Sequence, residues 1–183
     1  MEARAALLYR PFFALKPPLH VARQIDHFAR TLDPAARHVL TEHQHITLGI
    51  TTDAPVYPYE LVKALCRSGA GIGAAPFDLT LDRLSVGGQS AALRPSHMIP
   101  GLEALRREVA RAMRAAGALP RPGWTFSPHQ TLFYRQSRPE QRAIAGFGWR
   151  VEELVLICSH VGQTRHEVVG RWPLIGERQY RLL

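Results

Sequence analysis

Apolar residues recur along the chain in two alternating periods. Ala5 to Leu15 is rich in aliphatic and aromatic residues and reads as a first strand, stopped by the rigid pair Pro17-Pro18. Val21, Ile25, Phe28 and Leu32 then follow at steps of four, three and four, one face of an amphipathic helix. Leu40 to Ile50 contains a second strand around His45-Ile46-Thr47-Leu48. Pro58 opens a short helix carrying Leu61, Val62 and Leu65 that ends in the glycine-rich stretch Ser68 to Gly73. Phe77, Leu79 and Leu81 alternate with Asp78, Thr80 and Asp82 as a half-buried strand does, and Ala91-Ala92-Leu93 is a weaker neighbour for it. Pro100 begins the strongest helix, with Leu102, Leu105, Val109, Ala112, Met113 and Ala116 in helical spacing before Gly117. Beyond a connector at Leu119 to Gly123, strands are expected at His129 to Tyr134, Val151 to Ser159 and Glu167 to Leu174. No helix regularly follows each strand, as a parallel sheet would need, so the pattern predicts an α+β fold.

Length and composition narrow the setting. A chain of 183 residues with 46% hydrophobic composition matches one compact domain with a sizeable core. No stretch approaches the roughly 18 apolar residues of a membrane span, and the start Met1-Glu2-Ala3-Arg4 soon runs into Tyr9-Arg10-Pro11, unlike a signal peptide. No membrane partner is expected, and the setting read from this is cytoplasmic. Cys66 and Cys158 form neither a Cys-x-x-Cys pair nor a dense framework, which excludes disulfide scaffolds and zinc ribbons. The net charge is +8, and all but two of the 23 basic side chains are Arg. Such a balance suits an anionic partner, but the basic residues are scattered and form no run, so charge alone selects no function.

The chemistry is carried by a near-repeat. His45-Ile46-Thr47-Leu48 and His129-Gln130-Thr131-Leu132 share the form His-x-Thr-Leu, one in each half of the chain and each on an expected strand. Strand side chains alternate faces, so His and Thr two residues apart present an imidazole beside a hydroxyl on one surface. Two such strands facing one cleft suit phosphoryl chemistry on a cyclic phosphodiester. A neutral imidazole takes the proton of the attacking water, a protonated one supplies the leaving ribose oxygen, and the hydroxyls hold the non-bridging oxygens. Histidine serves both roles near neutrality. This chemistry needs no metal and no cofactor.

These motifs resemble those of the two-histidine phosphoesterase superfamily, in particular its LigT-like branch of 2'-5' RNA ligases and RNA 2',3'-cyclic phosphodiesterases. The resemblance extends to Phe12-Phe13-Ala14-Leu15 with Pro17, Phe77-Asp78-Leu79-Thr80-Leu81, Ser127-Pro128 before the second motif, Val155-Leu156-Ile157-Cys158-Ser159 and Trp172-Pro173-Leu174. It implies a single domain over residues 1–183 with two pseudo-symmetric lobes, each an antiparallel sheet with outer helices, around a central cleft. It further implies His45 as acid toward the 3'-oxygen and His129 as base toward water, with Thr47 and Thr131 on the phosphate and a 2'-phosphate product. In reverse the same groups would join RNA ends through a 2'-5' linkage. The partner implied is RNA ending in a 2',3'-cyclic phosphate. A small cyclic nucleotide is the alternative, and a non-catalytic RNA-binding module is a third reading.

Two positions depart from the family's pattern. Members commonly carry Arg five residues after the second histidine, where this chain has Tyr134, with Arg135 one place later and on the opposite face unless a bulge intervenes. The usual bulky continuation of the first motif is replaced by Gly49-Ile50-Thr51-Thr52. Arg135 and Arg165 are candidate phosphate holders, and Phe12, Phe13, Trp124, Phe126 and Tyr134 are candidate stacking residues for a base, although strand aromatics more often serve the core. Two other signals lead elsewhere. Gly69-Ala70-Gly71-Ile72-Gly73-Ala74 mimics a dinucleotide fingerprint but follows a helix and runs into a strand. His43-Gln44-His45 has metal-ligand spacing without a supporting cluster, which leaves His43 as a flanking residue on the same strand face.

Overall fold

The computed structural model describes residues 7–176. Ala5 and Ala6 of the expected first strand, and the start Met1-Glu2-Ala3-Arg4, lie outside them. The described elements run β1 (Leu8–Leu15), α1 (Leu19–Leu32), β2 (Arg37–His38), β3 (Ile46–Ile50), α2 (Tyr59–Gly69), β4 (Phe77–Val86), β5 (Ser90–Arg94), α3 (Pro100–Ala115), β6 (Gln130–Tyr134), β7 (Glu140–Val151), β8 (Glu153–Val161) and β9 (Arg165–Pro173). They build an α+β fold with two antiparallel sheets, ordered β3-β1-β8-β9 and β2-β6-β5-β4-β7.

The helices form where the apolar spacing required. Val21, Ala22, Ile25 and Ala29 of α1 and Leu102, Leu105, Val109, Ala112 and Met113 of α3 are buried. Pro100 occupies the first turn of α3, where its missing N–H costs nothing, and Gly117 leaves the helix at φ +68°. One face of the first sheet, with Phe13, Leu15, Ile46, Leu48, Leu154 and Leu156, joins both lobes' helices in a common core. Its other face carries a smaller cluster of Phe12, Ala14, Val155 and Ile157.

Three expectations are corrected. The second strand begins at Ile46, and His43 lies in a single 3-10 turn, Thr41–His43, rather than on a strand face. The apolar run expected as one strand from Val151 to Ser159 is divided at Glu152, where β7 ends and β8 begins. No Gly or Pro marks that turn, and buried residues flank it, so periodicity reads straight through. The twelve-residue β7 itself was not expected: it is an edge strand in which only Trp149 and Val151 are buried, and its glycines weaken the alternation.

Each motif strand contains a bulge at the same place. On β3 the partners step from Phe13↔Gly49 to Ala14↔Thr47, leaving Leu48 as the extra residue; on β6 they step from Ala91↔Phe133 to Ala92↔Thr131, leaving Leu132. Both leucines are buried. The extra residue reverses the parity of the strand, so Thr47 shares a face with Ile50, and Thr131 with Tyr134. Gly49 follows the first bulge because α3 lies against it: a Cβ there would meet Met113 Sδ at 2.5 Å and Val109 Cγ1 at 3.0 Å.

Between the lobes, the buried Gln130 Nε2 donates to Gln44 Oε1 at 2.9 Å, and Gln44 Nε2 donates to the Ala22 carbonyl at 3.1 Å. The residue before one motif histidine is thus tied to the residue after the other, and both to α1.

Gly49→Ala is expected to destabilise the fold by about 1–3 kcal/mol through overpacking against α3, because the β-branched Val109 cannot turn aside as Met113 can. Chemical denaturation checks it. Gln130→Leu leaves the Gln44 carbonyl oxygen buried and unpaired and is expected to cost about 1–3 kcal/mol. The double variant Gln44→Leu/Gln130→Leu should cost less than the sum of the two single variants, which a double-mutant cycle measures.

Candidate active site

His45 stands immediately before β3 and His129 immediately before β6, and the two are held alike. His45 Nδ1 is 2.6 Å from the His43 carbonyl, and His129 Nδ1 is 2.7 Å from the Ser127 carbonyl. Donation from each Nδ1–H to a carbonyl two residues back leaves Nε2 as the free, proton-accepting nitrogen of the neutral ring. The lead-ins are held alike as well. Lys16, just past the end of β1, donates to the Glu42 carbonyl. Arg94, the last residue of β5, donates to Ser127 Oγ at 2.7 Å. A cation on the neighbouring strand thus anchors the segment that orients each imidazole.

His45, Thr47, His129 and Thr131 all line one cavity of about 620 Å³ between the lobes, within the usual size of a small-ligand site. Ile50 and Tyr134, turned inward by the two bulges, line it too, as do Phe12 and Trp124. Sequence reasoning did not find Arg10, Arg37, His38, Ser159, His160 or His166, which also face the cavity. For Arg10 the signal was present, since it lies two residues from Phe12 on one strand. Arg37 and His38 lie on a strand too short to show any period.

Other expected residues are elsewhere. Arg135, just past the end of β6, does not line the cavity: its Nη1 donates to Asp33 Oδ1 at 2.5 Å. Arg165 is exposed and outside the lining. Phe13 is fully buried beside Trp172, and Phe126 stands between Trp124 and the Arg106 guanidinium.

Aromatic rings crowd the first-motif side. The His45 ring lies 4.9 Å from Phe12 and 5.4 Å from His166, and His43 lies 4.6 Å from His166, centroid to centroid. Burial pushes the His45 imidazole down to about 4; Lys16, His129 and His43 act in the same direction, while the hydrogen bond to the His43 carbonyl opposes them. Burial, with His45, His43 and Lys16 adding to it, takes His166 down to about 3. Both rings are therefore neutral at neutral pH. Among the described residues no group of three or more His, Cys, Asp or Glu side chains is arranged to hold a metal ion, and no helix is long and apolar enough to cross a membrane.

Residues 17–163 match the family described as the 2'-5' RNA ligase superfamily. Comparison with curated protein sequences returns no match. Among solved structures, Escherichia coli LigT complexed with 3'-AMP is similar with a TM-score of 0.75 at 26% identity, over 91% of this chain and 98% of that one. A crystal structure described only as a phosphoesterase gives a TM-score of 0.74 at 25% identity over 91% and 98%. TT0787 of Thermus thermophilus shares the fold, with a TM-score of 0.74 at 22% identity over 92% and 99%. With the family match spanning both His-x-Thr-Leu motifs, the chain belongs to the 2'-5' RNA ligase superfamily, as a LigT-like member of the two-histidine phosphoesterases.

Proposed function

We propose that the protein hydrolyses 2',3'-cyclic phosphate ends of RNA to 2'-phosphates without a metal ion. The observation that carries this reading is the matched pair of imidazoles, each fixed through Nδ1 on the carbonyl two residues back, in one cavity with both motif threonines. Thr47 and Thr131 hydroxyls donate to the non-bridging oxygens. His129 Nε2 takes a proton from water as its oxygen bonds to phosphorus. The P–O3' bond breaks and the 3'-oxygen leaves with a proton from His45 Nε2. A 5'-hydroxyl in place of water would give a 2'-5' linkage.

His45 acquires the proton it donates only as substrate arrives, because an entering phosphodiester anion favours the charged imidazole and raises a group that burial holds near 4. A cavity of about 620 Å³ is of small-ligand size, which keeps a small cyclic nucleotide as the second reading. A cytoplasmic setting is in keeping with the unpaired thiols of Cys66 and Cys158.

His45→Ala and His129→Ala are each expected to lower turnover of a 2',3'-cyclic phosphate by about 10² or more. Thr47→Ala and Thr131→Ala should lose less, on the scale of about 1–3 kcal/mol for a hydrogen bond to a charged group. Unchanged turnover in a histidine variant would falsify the site, and exhaustive chelation should leave the wild-type rate intact.

The profile of kcat/KM against pH should be bell-shaped, because the reaction needs one proton on the pair and fails with two or none. Its acidic limb is expected near 4, where the free enzyme's His45 titrates, and the acidic limb of kcat should lie higher, where the bound phosphate has raised that group. Coincident limbs at about 6.5, the ordinary imidazole value, would show that the cleft does not depress His45. For RNA as substrate, log KM for a cyclic-ended oligonucleotide should rise steeply with log salt, by about 0.7 for each phosphate neutralised, against a shallow slope for a cyclic mononucleotide. Equal shallow slopes would select the small nucleotide.

A further inference from the structure

The cationic groups around the cavity are not equivalent. Arg10 is held by Asp53 through two hydrogen bonds, Nε to Oδ1 at 2.5 Å and Nη2 to Oδ2 at 2.7 Å, so its charge is already matched. Lys16 lies outside the cavity lining and is turned to the Glu42 carbonyl. Arg37 differs: it lines the cavity and has no acidic partner among the described residues. Its guanidinium carbon lies 5.0 Å from the centroid of the Tyr134 ring, and the two residues are direct cross-strand partners on β2 and β6. Stacking on an aromatic face fixes the plane of a guanidinium while leaving its N–H edge free for an anion.

Position decides which anion. Tyr134 is three residues beyond Thr131 on β6, roughly 10 Å along the strand, and the bulge at Leu132 keeps it on the cavity face. A phosphate that touches Thr47 and Thr131 does not extend that far, but a second anionic group on the same molecule does. The equivalent position of the first lobe is Ile50, which is apolar and offers such a group nothing.

We propose that Arg37, seated on Tyr134, is a specificity-determining residue that binds a second phosphate of the substrate, the one on the 5' side of the terminal nucleoside. This deepens the reading of the cleft as a cyclic-phosphate site and rests on a phosphate ester lying between the two threonines. The preferred substrate class is then a 5'-phosphorylated nucleoside 2',3'-cyclic phosphate or the RNA end that contains one, rather than a cyclic nucleoside monophosphate. The guanidinium at that end of the cleft is thus supplied to Tyr134 of β6 from the adjacent strand.

Calorimetric titration of the wild type, Arg37→Met and Arg37→Lys with adenosine 3'-monophosphate and adenosine 3',5'-bisphosphate tests this. Met keeps the aliphatic stem and loses the charge. Wild type should bind the bisphosphate about tenfold or more tightly than the monophosphate, the scale of one hydrogen bond to a charged group. That preference should collapse to near unity in Arg37→Met and return in part in Arg37→Lys, with kcat/KM for the corresponding cyclic phosphates following the same ratios. No preference in the wild type, or equal weakening of both ligands in Arg37→Met, overturns the proposal. Turnover fails separately: a wild type that prefers the bisphosphate but hydrolyses neither cyclic phosphate keeps the second-phosphate site and removes the hydrolase reading.

Discussion

The buried amide bridge between Gln44 and Gln130 is the constraint on which the cleft depends. The two sheets share one apolar core, but apolar packing is non-directional and sets no fixed alignment of the two motif strands. A hydrogen bond between uncharged groups, out of reach of water, supplies one, because breaking it exposes neither amide to a substitute partner. Since Gln44 precedes His45 and Gln130 follows His129, the bridge joins the two segments that carry the imidazoles. Its anchor on the Ala22 carbonyl adds α1 to the same frame. The reacting groups are thereby positioned by packed, dry elements, with the backbone carbonyls of His43 and Ser127 completing the orientation of each ring.

Electrostatics then divides the cleft into a part prepared for chemistry and a part prepared for recognition. Around His45 the neighbours are rings and a half-buried lysine, and the result is an imidazole that stays neutral until an anion is present. At the other end, Arg37 lies on an exposed ring with no acidic partner among the described residues. The net charge of +8 is a poor guide to this arrangement. Several of the arginines are neutralised by local carboxylates, as Arg10 is by Asp53 and Arg135 by Asp33, and most of the others lie away from the cavity, so what the ligand meets is decided by position.

Much of this was legible in the sequence where a period or a repeat extended over enough residues. The alternation in Phe77 to Asp82, the helical spacing before Gly117 and the doubled His-x-Thr-Leu each carried their element. Parity was not legible. A bulge is one extra residue, and Leu48 and Leu132 look like ordinary strand leucines, so Tyr134 and Arg135 could not be assigned to a face from spacing alone. Arg37 was missed for a related reason, because a two-residue strand has no pattern and its place comes entirely from pairing with β6. The glycine after the first motif, which reads as a departure in the sequence, is a packing requirement set by Val109 and Met113 of a helix far along the chain.

The paired bulges also act as register stops. A strand sliding by one residue past its neighbour turns every side chain over, and an uninterrupted strand loses only the match of its two faces by doing so. With an extra residue seated opposite a defined gap in the partner, β3 and β6 can each close their ladders in only one alignment. Histidine, threonine and the residue three beyond the threonine then reach the cleft as a set or not at all. Correct pairing and competence are one event in this fold, so a molecule that misaligns either strand has no partial version of the site.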